Sequence, residues 1–140
     1  MSLSPDERVC QVKGRFFRCG YASVIGLCQY CGRLFCAKHG EILDDGQEVC
    51  SRKFCVAKRD DLVVHLVYKD AVQRRNDAGR CGFEGCNAAL GAECMRCKGS
   101  FCELHVHGRE EMIMQNSVRV PRMATLCRHC WVRRPIWLRT

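Results

Sequence analysis

Long apolar runs are missing from this chain of 140 residues. No stretch reaches the roughly 18 consecutive apolar residues that a membrane-spanning helix needs. Residues 1–20 are studded with charge and lack the apolar core of a secretory signal. We therefore expect an intracellular, cytoplasmic protein with no membrane partner. The length allows one domain or two small ones.

Signatures of catalysis are missing as well. The sequence holds no phosphate-binding G-x-x-x-x-G-K-[ST] loop, no H-E-x-x-H segment and no convincing catalytic triad. We assign no catalytic residue, and His65, His107 and His129 receive no catalytic role. We therefore do not expect the chain to catalyse a reaction through its own side chains.

Cysteine is present in unusual quantity. The 14 cysteines make up one residue in ten, a density typical of either a disulfide scaffold or a set of metal sites. In a reducing compartment thiols stay free, which favours metal, with disulfides as the alternative.

The formal net charge of +8 would ordinarily suggest an anionic partner such as nucleic acid. That count treats every cysteine as neutral. Fourteen thiolates with four Zn²⁺ would contribute about −6 and bring the protein to about +2. Much of the basicity then offsets the thiolates, so nucleic-acid binding is possible but not favoured.

The cysteines and two histidines form eight pairs, in the same order in both halves of the chain. The first half gives Cys10 with Cys19, Cys28 with Cys31, Cys36 with His39 and Cys50 with Cys55; the second gives Cys81 with Cys86, Cys94 with Cys97, Cys102 with His105 and Cys127 with Cys130. Tetrahedral zinc needs two such pairs. The sequence therefore predicts four Zn²⁺ per chain, held by these sixteen residues.

The two halves also repeat in sequence. Residues 28–39 align with residues 94–105 without a gap, and five of the twelve positions are identical, Phe35 and Phe101 among them. We expect these two phenylalanines to fill a small core beneath each C-x2-C turn. A duplicated module is the simplest interpretation.

Spacing alone leaves the ligand sets open. Pairs one and two could share a zinc, as could three and four; alternatively, pairs one and three could share one, as could two and four. Both arrangements give one Cys₄ and one Cys₃His site in each half. His107 is an alternative to His105, although the matching offset of His39 favours His105.

The C-x2-C-x4-C-x2-H order, with cysteine pairs before and after it, resembles the cross-brace zinc fingers of the RING, B-box, FYVE and stress-associated-protein group. This resemblance implies a small metal-stabilised α+β fold of two tandem cross-brace modules, each with short β-hairpins and a helix. It also implies alternating ligand pairs. The implied sets are Cys10, Cys19, Cys36, His39; Cys28, Cys31, Cys50, Cys55; Cys81, Cys86, Cys102, His105; and Cys94, Cys97, Cys127, Cys130.

This sequence departs from those families in four respects. Four residues separate the second and third pairs in both halves, where RING domains usually have fewer, and the first pairs are wider than C-x2-C. Residues 24–27 lack the basic motif with which FYVE domains bind phosphoinositides, so we do not expect that activity. The stress-associated finger's H-x5-H-x-C ending is absent.

The domain organisation follows from the ligand pattern. Residues 1–78 should form module one, ending in a linker helix over about 55–77 with Asp60 and Asp61 in its first turn and an apolar face that includes Val63 and Val72. Residues 79–140 should form module two. It carries an inserted hairpin around residues 112–120, either structural or partner-binding, and a basic aromatic tail at 131–139.

Three functions fit this pattern. The leading hypothesis is a protein–protein interaction adaptor. The second is a RING-like ubiquitin-type ligase, with Val12 and residues 131–134 as the docking surface for a component of a ubiquitin-like conjugation pathway. The third is nucleic-acid binding through the arginine-rich tail, whose affinity would fall steeply with salt.

Overall fold

The computed structural model describes residues 8–13 and 17–138, so Phe16 and Arg139 lie outside the described residues. The fold consists of short antiparallel strand pairs and helices. In chain order the elements are β1 (Val24–Leu27), β2 (Leu34–Cys36), β3 (Gly40–Ile42), β4 (Glu48–Cys50), α1 (Lys53–Asp77), β5 (Ala92–Glu93), β6 (Ser100–Phe101), β7 (Val106–Gln115), β8 (Val118–Cys127), α2 (Arg128–Val132) and α3 (Arg134–Leu138). Each strand pairs with its neighbour in sequence, β1 with β2 through to β7 with β8.

The chain divides into two compact units. Unit one takes in the described residues up to Leu62 and those from Ile136 onward, and unit two is Val63–Pro135. Both units contain two strand pairs, and each second pair is followed by a helix, α1 or α2. The expected boundary after residue 78 and the duplication of the module remain predictions.

The core of unit one is a phenylalanine surrounded by cysteines. Phe35 is fully buried, together with Val12 and Val49. Two glycines leave room for its ring: a Cβ on Gly26 would lie 2.7 Å from Phe35 Cζ, and one on Gly40 would lie 2.7 Å from Phe35 Cε2. Both glycines therefore stand where any larger residue would collide with the ring.

Unit two repeats this arrangement around Phe101, which is also fully buried. Val72 of α1 and Leu126 of β8 belong to the same cluster. A Cβ on Gly82 would lie 2.8 Å from Val72 Cγ1 and 2.9 Å from Phe101 Cε1. The prediction that Phe35 and Phe101 fill two small cores is confirmed.

The β7–β8 hairpin is much longer than the segment expected around residues 112–120. Its ladder runs over ten residue pairs from Val106 opposite Cys127 to Gln115 opposite Val118. Asn116 and Ser117 form the two-residue turn, and both have positive φ (52° and 65°), as a type I′ turn requires. Pro121 does not end the pairing, because every strand of a two-stranded ribbon has a free edge where proline is tolerated.

Helix α1 begins at Lys53, two residues before the expected start, and ends at Asp77. Its first turn holds no acidic residue, so the placement of Asp60 and Asp61 there was wrong: the earlier start moves both into the body of the helix. Arg75 lies in the last turn, and Gly79 follows with a φ of 76° that suits a helix stop.

The expected apolar face of α1 is only partly covered. Val72 is buried, whereas Val63, Leu66 and Val67 each keep more than half of their surface exposed. Among the described residues, no helix is long and apolar enough to cross a membrane.

Candidate metal centres

Sixteen sulfur- and nitrogen-bearing side chains gather into four groups of four. In each group the ligand atoms all lie within 4.8 Å of one another. The groups are Cys10, Cys19, Cys36 and His39; Cys28, Cys31, Cys50 and Cys55; Cys81, Cys86, Cys102 and His105; and Cys94, Cys97, Cys127 and Cys130. Each group takes the first and third pairs, or the second and fourth pairs, of its half of the chain. Each can hold one metal ion.

Local backbone structure explains how the wide first pairs converge. Cys10 and Cys19 lie on two short paired segments, in which Lys13 bridges to Arg18 and the Cys19 N–H donates to the Val12 carbonyl at 3.0 Å. These contacts bring together the described residues that flank the two cysteines, so Cys10 and Cys19 meet in one group. In unit two, the tight turn at Gly85 (φ 82°) lets the Cys86 N–H donate to the Phe83 carbonyl.

The C-x2-C segments that begin at Cys28 and Cys94 are both turns closed by a backbone hydrogen bond. The Gly32 N–H donates to the Cys28 carbonyl at 2.8 Å, and the Lys98 N–H donates to the Cys94 carbonyl at 3.0 Å. Gly32 and Lys98 both adopt left-handed φ values, 71° and 63°. This conformation turns the chain straight back after the second cysteine, so both sulfurs point to one side.

The sulfur–sulfur distances match a shared metal and not a covalent bond. Cys19 to Cys36 is 4.0 Å, and Cys31 to Cys50 is 3.8 Å. Two sulfurs bound to one tetrahedral zinc at about 2.3 Å lie about 3.8 Å apart, whereas a disulfide is about 2.05 Å long. All fourteen cysteines are free thiols, so the disulfide alternative is not seen.

The histidine of each Cys₃His group faces the sulfurs with Nδ1. His39 Nδ1 lies 3.4 Å from Cys36 Sγ, and His105 Nδ1 lies 3.2 Å from Cys102 Sγ. His107 instead sits in β7 opposite Leu126 and belongs to none of the four groups. Phe83 stacks on the His105 ring, with centroids 4.0 Å apart and planes 4° apart, and so orients the imidazole.

The electrostatics of the groups call for a cation. Burial, together with the neighbouring Cys28, raises the pKa of Cys50 to about 11, although hydrogen bonds with the Arg52 backbone and with Cys55 oppose this. Burial also acts to raise the pKa of its neighbour Cys28, but hydrogen bonds, led by those of Cys50 and Tyr30, lower it to about 7. When one thiol of a group ionises, it thus raises the pKa of a neighbouring thiol. A divalent cation removes this conflict, because it stabilises all the thiolates at once.

The Cys94 group is the best protected of the four. All of its members are buried, whereas Cys19, Cys31 and Cys86 leave the other groups partly exposed. Tyr68 of α1 donates its hydroxyl hydrogen to Cys127 Sγ at 3.2 Å. Sequence reasoning did not identify Tyr68, because only the packing of α1 places it beside this sulfur.

Two histidines flank the Cys94 group without joining it. His65 Nδ1 and His129 Nε2 are 3.0 Å apart, and the His129 ring stacks on Tyr68 with centroids 3.8 Å apart. His129 thus belongs to none of the four groups, although it lies between two ligands in sequence, and it stacks on the tyrosine that contacts one of them.

Comparison of the chain with protein-family profiles, with curated proteins and with solved structures gave no match.

Proposed function

We propose that the protein is a structural zinc protein that binds four Zn²⁺, one in each of the four groups, through all fourteen cysteines, His39 and His105. The support is geometric: four ligand atoms converge on each site at distances that suit tetrahedral coordination. Tetrahedral Cys₄ and Cys₃His sets are typical of structural zinc. With four protein ligands each, the sites are closed, and the metal stabilises the fold instead of activating water.

The crossed ligand sets belong to this proposal, and the metal count and the ligand types that they give can both be measured. Native mass spectrometry should show four Zn²⁺ per chain. Replacing one cysteine with serine in each group in turn should lower the count to three. X-ray absorption should give an average first shell of mostly sulfur with a small nitrogen share. A chain that folds with cystine bridges, or that binds two ions, would contradict the proposal.

We further propose that the zinc-stabilised units act as a protein–protein interaction adaptor, with the β7–β8 hairpin as the binding element. The observation behind this is a methionine face on the hairpin. Side chains alternate along a strand, and the register places Met112, Met114 and Met123 on one face. They are 52%, 65% and 65% exposed. Flexible, polarizable methionines suit an apolar binding surface.

Neither alternative function gains a specific observation. Val12, expected in a ligase docking surface, is buried in the core of unit one. For nucleic acid, the tail would need free aromatic faces. Trp131 already contacts the Arg109 and Arg134 guanidiniums, at 4.9 and 4.3 Å from its centroid. Trp137 donates to Asp61 Oδ2 at 2.6 Å.

The adaptor proposal is tested on the zinc-loaded chain. A photocrosslinking residue at position 114 captures the partner in source cells, and the purified partner is then titrated against variants. We expect Met114→Asp to weaken that complex at least about tenfold, because a buried unpaired carboxylate costs more than 1.4 kcal/mol. Leu104→Asp is the matched control, since Leu104 is 78% exposed outside the hairpin. Equal effects of the two substitutions would contradict the proposal.

A further inference from the structure

A single buried carboxylate organises several arginines on the face of the hairpin opposite the methionines. Glu111 is 3% exposed. Its Oε1 accepts from Arg122 Nη2 at 2.6 Å and Nε at 3.2 Å, and its Oε2 accepts from Arg96 Nη2 at 2.8 Å. Arg134 Nε lies 3.6 Å from the same Oε2. We call Arg96, Arg122 and Arg134 the arginine cluster.

The cluster is assembled from three separate parts of unit two. Arg122 stands directly opposite Glu111 in the β-ladder, Arg96 lies between Cys94 and Cys97, and Arg134 begins α3. Residues that far apart in sequence meet only in the folded unit. The zinc site that fixes the Cys94 turn therefore also fixes the position of Arg96.

Positive charge exceeds negative charge at this place. The arginine cluster sets three guanidiniums against one carboxylate, which leaves +2. Arg109 adds a fourth cation two residues before Glu111, against Trp131. With one Zn²⁺ bound to four thiolates, the buried Cys94 group would carry a net charge of about −2. A positive surplus remains even after that offset.

The guanidiniums also have donors left for a ligand. Each carries five N–H groups in a planar fork. Glu111 accepts one hydrogen bond from Arg96 and two from Arg122, and Arg134 makes only a longer ion pair with it. The side chains of Arg96 and Arg122 are 49% and 41% exposed. Glu111 fixes their inner ends, so a second anion would meet forks that are already ordered, which lowers the entropy cost of binding.

We propose that the arginine cluster is the binding site for an acidic peptide segment of the partner protein. Its outward N–H groups would donate hydrogen bonds to carboxylate or phosphate groups of that segment. Planar forks bind such oxyanions with paired, charge-assisted hydrogen bonds. This inference rests on the proposed adaptor function. A peptide is favoured over single-stranded nucleic acid for two reasons. The positive charge is concentrated at one place instead of following a groove, and the Trp131 ring beside it is already in contact with two arginines.

The test uses the full zinc-loaded chain and fluorescence anisotropy. The probes are a labelled Asp/Glu-rich peptide, the same peptide with phosphoserines, a neutral Asn/Gln version and a single-stranded oligonucleotide. We expect the acidic peptides to bind and the neutral peptide not to bind. The stronger of the two acidic probes identifies carboxylate or phosphate as the preferred group.

Arg96→Gln should weaken acidic-peptide binding about tenfold, since it removes one fork from the cluster. Arg119→Gln is the matched control, because it makes the same charge change on the methionine face of the hairpin, opposite the face that carries Glu111 and Arg122. It should alter affinity less than about twofold. Zinc content is measured for both variants, and it should stay at four.

Several outcomes would overturn the inference: equal losses in Arg96→Gln and Arg119→Gln, tighter binding of the oligonucleotide than of either acidic peptide, no binding of any acidic probe, or loss of zinc from Arg96→Gln. None of these outcomes contradicts the adaptor proposal if Met114→Asp still weakens the complex with the purified partner. If Met114→Asp has no effect on the complex but Arg96→Gln still weakens acidic-peptide binding, only the proposed role of the methionine face is rejected.

Discussion

The Tyr68 hydroxyl donates a hydrogen bond to Cys127 Sγ at 3.2 Å, so one side chain of α1 reaches directly to a sulfur of the most buried ligand group. The negative sulfur beside it raises the pKa of Tyr68 in addition to the larger effect of burial, so the hydroxyl keeps its proton and remains a donor. A donor on a metal-bound thiolate reduces the charge on sulfur and makes the ligand harder to protonate or oxidise.

Replacing Tyr68 with phenylalanine should therefore weaken this one centre. We expect a loss of about 1.5–3 kcal/mol in stability, the range for a hydrogen bond to a charged acceptor, and faster zinc release from the Cys94 group. Stopped-flow release to a chromogenic chelator measures the rate. Alkylation mapped by mass spectrometry identifies which cysteines open.

Tyr30→Phe is a matched control for that substitution. Tyr30 also lies next to a ligand pair, but its hydroxyl is buried with no hydrogen-bond partner. Removing it should leave stability and zinc release unchanged, or raise stability slightly, because no bond is lost and a buried polar atom is removed. A similar loss in both variants would show that the Tyr68–Cys127 bond contributes nothing.

A methyl group added at Gly40 should destabilise unit one. The new Cβ would collide with the Phe35 ring and come within 2.7 Å of the Val49 carbonyl oxygen. Overpacking of this kind costs about 1–3 kcal/mol. Thermal unfolding of zinc-loaded Gly40→Ala should show a lower midpoint, whereas Gly108→Ala meets only the flexible end of Met123 at 3.4 Å and should change little.

Zinc removal should unfold the protein in stages. Structural zinc contributes about 10–16 kcal/mol of apparent binding energy at neutral pH, and the apolar cores around Phe35 and Phe101 are small. Chelation followed by circular dichroism should show loss of strand and helix signal. Alkylation should reach the partly exposed Cys19, Cys31 and Cys86 first and the Cys94 group last. Simultaneous labelling of all cysteines would contradict this order.

Local repetition made parts of the fold predictable. Phe35 and Phe101 stand at equivalent places between cysteines, and both prove to be buried plugs. The hairpin was expected too short, because Gly108 and the charged residues after it hide the alternation of β7. The apolar residues of α1 do not form one covered face, since Val72 is buried but Val63 and Val67 are exposed.

Contacts between distant segments could not be predicted. Tyr68 reaches Cys127 across 59 residues of sequence, and nothing in the spacing of either residue indicates it. Glu111 lies among other charged residues, and its neighbour Glu110 is exposed. Only the register that sets Glu111 opposite Arg122 reveals which glutamate faces inward. Such pairs depend on long-range topology, on which local propensity gives no information.

Glu111→Gln provides a final test, in which pH separates an ionic role from simple packing. Burial alone would raise the pKa of Glu111, but Arg122 and Arg96 outweigh it and hold the pKa below its ordinary value of 4.5. The ionised carboxylate therefore stabilises the fold above pH 4.5, and this contribution disappears as the pH falls through the lower folded-state pKa.

At neutral pH the Glu111→Gln variant should be less stable than wild type by about 2 kcal/mol, because the guanidiniums lose their partner but can still reach water. Below pH 4.5 the gap should close, even though zinc loss weakens both proteins there. Glu110→Gln, on the exposed face of the same strand, is the control and should stay within about 0.5 kcal/mol of wild type at every pH. If the stability difference between Glu111→Gln and wild type persists unchanged into acid, the shape of the side chain and not its charge matters at this position.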